Sequence, residues 1–145
     1  MEHIPDDAAF INQIHRVLQP DGLLYMTVPA HQWLWSGHDV RAQHYRRYNR
    51  GTIRGLLGPN FELLYFTYFF GILIPATFLV KTLPFRLHIA RSGSVLPMES
   101  EHGTEGGMSV GVLRAFLKNE YRQIARGQEL HFGTSCMFVA RKTDT

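Results

Sequence analysis

The chain has 145 residues, of which 45% are apolar and 19% are charged, and its formal charge at pH 7 is +3. This length and composition predict a single folded domain spanning residues 1–145 and exclude wholesale disorder. The small net charge gives no reason to expect nucleic-acid binding. The single cysteine, Cys136, excludes an intramolecular disulfide and a cysteine-based zinc site, and its apolar surroundings predict a small buried hydrophobe.

The first residues lack the basic and apolar segments of a secretory signal, so the default expectation is a reducing, cytoplasmic compartment. Residues 63–80 carry no formal charge and just reach the length of a membrane-spanning helix. Gly71, Pro75 and the aromatic residues at the front of this stretch favour a buried strand that leads into a buried helix. Peripheral membrane contact is the alternative, with residues 69–83 and basic side chains lying against anionic lipid; these side chains are Lys81, Arg86 and Arg91.

The first predicted elements are a helix and a strand. Asp6 and Asp7 suit a helix N-terminus, and apolar residues recur at helical spacing through Leu18. Residues 19–22, Gln-Pro-Asp-Gly, predict a turn. The nearly continuous apolar run over 23–28 is typical of a strand buried on both faces in a parallel sheet. A loop rich in aromatic, histidine and arginine residues follows, and such loops often carry the function of α/β proteins.

The later elements follow the same logic. Asn49 predicts the cap of a helix that ends near Leu57, and residues 61–68 predict a second strand. Residues 72–83 predict a helix kinked or started near Pro75, and residues 86–107 predict a long mobile loop. The apolar stripe over 109–126 predicts a core-facing amphipathic helix, and residues 134–140 predict the last strand. Together these give an α/β fold with three strands and flanking helices.

Several of these segments, taken in series, resemble a known family. Residues 2–7 read Glu-His-Ile-Pro-Asp-Asp, residues 16–22 read Arg-Val-Leu-Gln-Pro-Asp-Gly, and the strand at 23–29 follows. This series is similar to the middle of a class I S-adenosylmethionine-dependent methyltransferase, from the end of its fourth strand to its fifth. The segment from His44 to Arg50 resembles the substrate-side loop, and residues 133–142 resemble the last strand.

The resemblance implies a partial Rossmann-like methyltransferase fold with a three-stranded mixed sheet, whose strands lie near 23–28, 61–68 and 134–140. It implies S-adenosylmethionine as cofactor and places Glu2 and His3 near its sulfonium. The family's glycine-rich turn, which lets the backbone approach the cofactor closely, has no counterpart near the start of this sequence. The expectation is therefore a truncated or split methyltransferase, whose strand at 23–28 has lost its neighbour and exposes an edge for self-association or for a complementing N-terminal half.

The loop after the first strand supplies the candidate site residues. His38 and His44 are candidate catalytic bases, because imidazole titrates near neutral pH and methyl transfer requires a proton to leave the acceptor. His38, Asp39 and His44 match no recognised metal motif, so no metal site is predicted. The candidate residues for binding a small-molecule acceptor are Trp33, Trp35, Tyr45, Arg46, Arg47 and Tyr48. The two arginines among them would suit an anionic acceptor.

The favoured function at this point is methyl transfer to a small-molecule or lipid-linked acceptor. Two alternatives belong to other classes. One is a non-catalytic interaction module that pairs through its exposed sheet edge, and the other is the membrane-surface protein described above.

Overall fold

The computed structural model describes residues 1–88 and 108–143, with the side chains of Met108 and Ser109 excepted. Most of the loop predicted over 86–107 lies outside the described residues. The helices and strands, in chain order, are α1 (Asp7–Val17), β1 (Leu23–Pro29), α2 (Gly37–Arg41), α3 (Arg50–Leu57), β2 (Phe61–Phe69), α4 (Ile74–Thr77), α5 (Leu83–Arg86), α6 (Met108–Ala125) and β3 (Ser135–Lys142). A π-helical segment, Phe78–Thr82, joins α4 to α5, so this stretch is one irregular helix.

The three strands form a sheet in the order β1-β3-β2. β3 pairs antiparallel with both neighbours, with Met26 opposite Phe138 on one side and Phe66 opposite Phe138 on the other. The predicted mixed sheet is therefore wrong, because every hydrogen-bonded pair among the three described strands is antiparallel. β1 and β2 do run parallel to each other, but the last strand lies between them. Among the described strands β1 has β3 as its only neighbour, so β1 is an edge strand.

One face of the sheet carries the core. Leu24 and Val28 of β1, Phe66 of β2 and Phe138 of β3 lie in one cluster of buried residues. The same cluster includes three side chains from α1 and α3, namely Ile11, Ile53 and Leu57. Cys136 is 0% exposed within it, and burial raises the pKa of its thiol to about 12. The predicted role of Cys136 as a small buried hydrophobe is confirmed.

The opposite face is largely uncovered by the described residues. Tyr25 of β1 is 65% exposed, so β1 has one buried face. The prediction of two buried faces, which rested on the continuous apolar run over 23–28, is therefore wrong. Leu23 and Leu64 are also exposed. α6 lies within two residues of its predicted bounds, yet Phe116 and Tyr121 of its apolar stripe are 50% and 71% exposed. The stripe therefore packs much less than a core-facing helix should.

Local capping fixes the two helices that cover the core. The Asp6 side chain accepts a hydrogen bond from the Ala9 N–H at the start of α1, as predicted. Asn49 and Thr52 form a reciprocal capping box at the start of α3. The predicted starts of these two helices are confirmed. They could be predicted because a cap depends on only a few neighbouring residues.

The irregular helix over 74–86 begins with Pro75 in its first turn, where a missing N–H costs nothing. In residues 1–88 and 108–143, none of the helices combines the length and the apolar character that crossing a bilayer requires.

We expect Gly133→Ala to lower the free energy of unfolding by about 2–3 kcal/mol, because overpacking at a rigid contact forces the backbone apart. A Cβ at this position would lie 2.1 Å from the carbonyl oxygen of Phe69 and 2.4 Å from its nitrogen. Urea unfolding measures the change. Gly55→Ala is the matched control, because a Cβ there meets nothing within 4 Å and alanine favours a helix, so stability should rise by about 0.5–1 kcal/mol. Equal effects of the two substitutions would contradict the packing at Gly133.

Candidate active site at the loop after β1

The loop from Ala30 to Asn49 is closed at its base by backbone hydrogen bonds. The Tyr48 N–H donates to the carbonyl of Pro29 at 2.9 Å, and the His31 N–H donates to the carbonyl of Tyr48 at 2.8 Å. Ala30 and Tyr48 thus form a short parallel bridge at the end of β1. The side chains within the loop are therefore held against the sheet.

Asp39 lies at the centre of this loop and is 0% exposed. It occupies the third position of α2, where it forms a capping box with Ser36. Its Oδ2 accepts hydrogen bonds from the backbone N–H of Ser36 at 2.9 Å and from the Ser36 hydroxyl at 3.1 Å. The cap thus directs a carboxylate into the interior of the loop.

Two basic side chains complete the environment of Asp39. Arg47 donates from Nε to Oδ1 at 2.8 Å and from Nη2 to Oδ2 at 3.0 Å, and Nη1 donates to the carbonyl of Ala30 at 3.2 Å. His44 Nδ1 lies 2.9 Å from Oδ1. Burial by itself would raise the pKa of Asp39, but the hydrogen bonds from Arg47 and His44 outweigh it and lower that pKa below the usual value. Asp39 is therefore a carboxylate at neutral pH.

The ionised Asp39 fixes the orientation of the His44 ring. A carboxylate can only accept, so His44 Nδ1 must donate, and in the neutral ring Nε2 then carries the lone pair. The side chain of His44 is 13% exposed. Beside it is an open pocket of about 380 Å³, lined by His3, Gln43, His44 and Tyr45. An imidazole of fixed orientation therefore lines a space that a small molecule can enter.

The start of the chain forms the other side of this site. The Tyr45 N–H donates to the carbonyl of Glu2 at 2.7 Å, and the rings of His3 and His44 meet edge to face with centroids 4.7 Å apart. The predicted cofactor-side residues, Glu2 and His3, thus lie next to one of the two predicted bases. His38 is farther away, with its ring centroid 6.4 Å from that of His44. Partial burial of His38 and the charge of Lys81 lower the pKa of its imidazole.

The predicted acceptor-binding residues fall into two groups. Arg46 pairs with Asp7 and donates to the carbonyl of Pro5, while Arg47 is held by Asp39. Tyr48 is 2% exposed and its hydroxyl donates to Asp7 at 3.0 Å; burial raises the pKa of this phenol. The side chains of Arg46, Arg47 and Tyr48 therefore have structural partners within the described part of the protein.

The aromatic residues of the loop are more open. Tyr45 is 54% exposed at the pocket, and Trp33 is 41% exposed, with its carbonyl oxygen accepting a hydrogen bond from Arg86. Trp35 is partly buried. Of the six predicted acceptor-binding side chains, Tyr45 is the one that lines the pocket beside His44.

Two features of the loop were not predicted. Asp39 was considered only as a metal ligand, although its spacing from Ser36 matches a capping box and could have indicated a structural role. His31 has a positive φ of 60° and stacks on Tyr68, with ring centroids 4.6 Å apart. Its Nε2 is buried without a hydrogen-bond partner among the described residues. Nothing in the sequence pattern distinguishes His31.

A second, apolar groove of about 310 Å³ lies between the uncovered face of the sheet and α6. Its lining residues are Thr27, Phe69, Phe70, Leu117, Glu120, Tyr121, Ile124 and Met137. The Glu120 carboxylate is held by the backbone N–H groups of Phe70 and Gly71, both at 2.9 Å. The remaining lining is almost wholly apolar.

Comparison of the chain with protein-family models, curated proteins and solved structures finds no match. The methyltransferase resemblance therefore stays a prediction from the sequence.

We expect Asp39→Asn to lower the free energy of unfolding by about 3–5 kcal/mol, because it leaves the buried Arg47 guanidinium without its counter-ion. Urea unfolding at pH 7 measures this. Glu62→Gln is the control, because the Glu62–Arg141 pair is exposed, with 3.9 Å between its charged atoms, and should contribute less than about 0.5 kcal/mol.

The same carboxylate has a pH signature. Since its pKa is lowered in the folded state, its stabilisation is present above the ordinary aspartate value near 4 and is lost as the pH falls through the lower folded value. Stability of the wild type should therefore drop below about pH 4. Asp39→Asn should remove this part of the pH dependence, and an unchanged acid limb in the variant would contradict the assignment.

Proposed function

We propose that this chain carries the substrate-side part of a class I S-adenosylmethionine-dependent methyltransferase, acting on a small-molecule or lipid-linked acceptor. The observation that carries the proposal is the meeting of Glu2 and His3 with the Asp39–His44 pair at one open pocket. The resemblance assigns the first two residues to the cofactor side and the segment from His44 to Arg50 to the acceptor side. Two segments about forty residues apart in sequence therefore meet where methyl transfer would require them to meet.

His44 is the proposed general base. The bound cofactor would supply the methyl group, and His44 Nε2 would take up the proton that the acceptor oxygen or nitrogen loses when it is methylated. Asp39, hydrogen-bonded to Nδ1, stabilises the imidazolium that forms. The methyl donor is already a good electrophile, so positioning and proton removal are the contributions that the protein must make.

The acceptor class follows from what the site offers. Arg46 and Arg47 are paired with Asp7 and Asp39, so an anionic group would have to compete with these carboxylates. At the pocket itself, the half-exposed Tyr45 offers the acceptor an aromatic surface.

The strand order does not add support to this proposal. The resemblance implies a mixed sheet, whereas β3 pairs antiparallel with both β1 and β2 in the order β1-β3-β2. The proposal therefore rests on the residues that meet at the pocket. The glycine-rich cofactor turn is not among the described residues, so full activity would need a segment that supplies it.

A second candidate function is a non-catalytic module that pairs through the β1 edge. It is favoured by the outer edge of β1, with which none of the described strands pairs, together with the exposed Leu23 and Tyr25 beside it, because an apolar edge of this kind is a template for another strand.

Calorimetric titration with S-adenosylmethionine and with its demethylated product tests the proposal. We expect weak but saturable binding below millimolar cofactor, because the glycine-rich turn is not among the described residues. The affinity should be unchanged in His44→Gln, because that side chain acts on the acceptor. Transfer of labelled methyl groups from the cofactor to a small-molecule and lipid extract should fall about 10²–10⁴-fold in His44→Gln. His131→Gln, an exposed histidine outside the pocket, is the matched control and should keep full transfer.

No binding at millimolar cofactor would overturn the methyltransferase proposal. If the chain also sediments as a concentration-dependent oligomer, that result would favour the edge-pairing module. A monodisperse monomer at micromolar concentration would contradict edge pairing.

A further inference from the structure

We propose that Glu2, His3 and His44 bind one divalent transition-metal ion, for which Zn²⁺ is the probe. One donor atom from each of the three residues lies within 4.8 Å of the other two. Two imidazole nitrogens and one carboxylate oxygen form a donor set that suits zinc and other first-row divalent ions. The inference concerns the chain's own residues and does not depend on methyl transfer.

Side-chain rotation is enough to bring the donor atoms to bonding distance from one ion. His3 Nε2 lies 3.9 Å from Glu2 Oε1, whereas metal–ligand bonds of about 2.0–2.2 Å bring donors to a little over 3 Å from one another. The His3 side chain is 56% exposed and can therefore move without disturbing the core.

His44 is already arranged as a metal ligand. Its Nδ1 donates to the ionised Asp39, so Nε2 is the ring nitrogen left to bind an ion, and the ring meets that of His3 edge to face at a centroid distance of 4.7 Å. A carboxylate on the far nitrogen of a ligating histidine fixes the ring and increases its basicity, and loss of such a partner commonly weakens metal binding. Arg47 and Ser36 hold Asp39 in turn, so the ring is fixed through two layers of contacts.

The site also has room for an exogenous ligand. Three protein donors leave a fourth position of a tetrahedral ion for water or substrate, as in catalytic rather than structural zinc sites. The open pocket of about 380 Å³ beside His3 and His44 leads to this position. Gln43, which precedes His44, has a positive φ of 55°. Such a conformation is uncommon for a residue with a side chain and is found more often at functional sites.

A bound ion would change the role of His44 in the proposed reaction. Nε2 cannot hold a proton and a metal ion at the same time. With the ion present, an acceptor hydroxyl bound to it would lose its proton more easily, because a bound cation lowers the pKa of the group it coordinates. Metal binding and methyl transfer are therefore tested separately.

The experiment titrates the metal-free full chain with Zn²⁺ against a chromophoric chelator at pH 7.5, without cofactor. We expect one ion per chain, and at least tenfold weaker binding in His44→Gln and in His3→Gln. His131→Gln is the matched control and should bind as the wild type does. His3→Gln keeps the test valid if other variants unfold, because His3 is exposed.

Asp39 is a positioning residue in this site, so Asp39→Asn should weaken binding about 10–100-fold. Co²⁺ in place of Zn²⁺ supplies an absorption spectrum that reports coordination directly, and a merely structural role of Asp39 would leave that spectrum unchanged.

Zn²⁺ that binds equally well to wild type, His3→Gln and His44→Gln would overturn the proposal, as would the absence of binding at 1 mM. Neither result would bear on cofactor binding. Conversely, a failure to bind S-adenosylmethionine in the calorimetric titration would not contradict the metal site.

Discussion

The arrangement of this loop depends on one buried carboxylate. Asp39 is fully buried, and it is held ionised by a bidentate guanidinium, an imidazole and the start of α2. A buried ion pair adds little to stability compared with a well-packed apolar pair, but breaking it leaves an uncompensated charge in the interior. The contact therefore matters mainly because it restricts the loop to one conformation. Arg47 extends that restriction to the sheet by donating to the carbonyl of Ala30.

The consequence for chemistry is an oriented histidine. A free imidazole on a surface loop can rotate and exchange tautomers, whereas His44 has its Nδ1 fixed by Asp39 and its ring packed edge to face on His3. The remaining nitrogen, Nε2, keeps its lone pair in the neutral ring, and the residue lines the pocket. An imidazole in this state can accept a proton or bind a metal ion, and both uses follow from the same hydrogen bond.

The elements could be predicted from the sequence far better than their pairing. Asp6 and Asn49 cap helices within three residues of themselves, so local sequence suffices to locate those ends. The apolar run of β1 indicated a strand correctly, but its continuous character suggested two buried faces, and Tyr25 is largely exposed. The antiparallel insertion of β3 between β1 and β2 joins segments far apart in sequence, and no local pattern could indicate it.

Only part of the candidate site could be predicted, because a sequence gives residue types but not the contacts between residues that the fold brings together. His44 was identified by its residue type and its place in the loop, whereas its pairing with Asp39 required the fold. Arg46 and Arg47 were predicted to bind an acceptor, but a sequence does not show which carboxylate an arginine meets, and both are paired within the protein. The family resemblance implied only that Glu2 and His3 lie near the cofactor, and the contact of Glu2 with Tyr45 was not predicted.

The tautomer of the neutral His44 ring tests the central claim most directly. Long-range ¹H–¹⁵N correlation spectra of the histidine side chains measure it. The account predicts that neutral His44 carries its proton on Nδ1, with Nε2 showing the chemical shift of an unprotonated nitrogen. An Nε2–H ring, or rapid exchange between the two tautomers as in a free histidine, would mean that Asp39 does not orient His44 and would contradict the account.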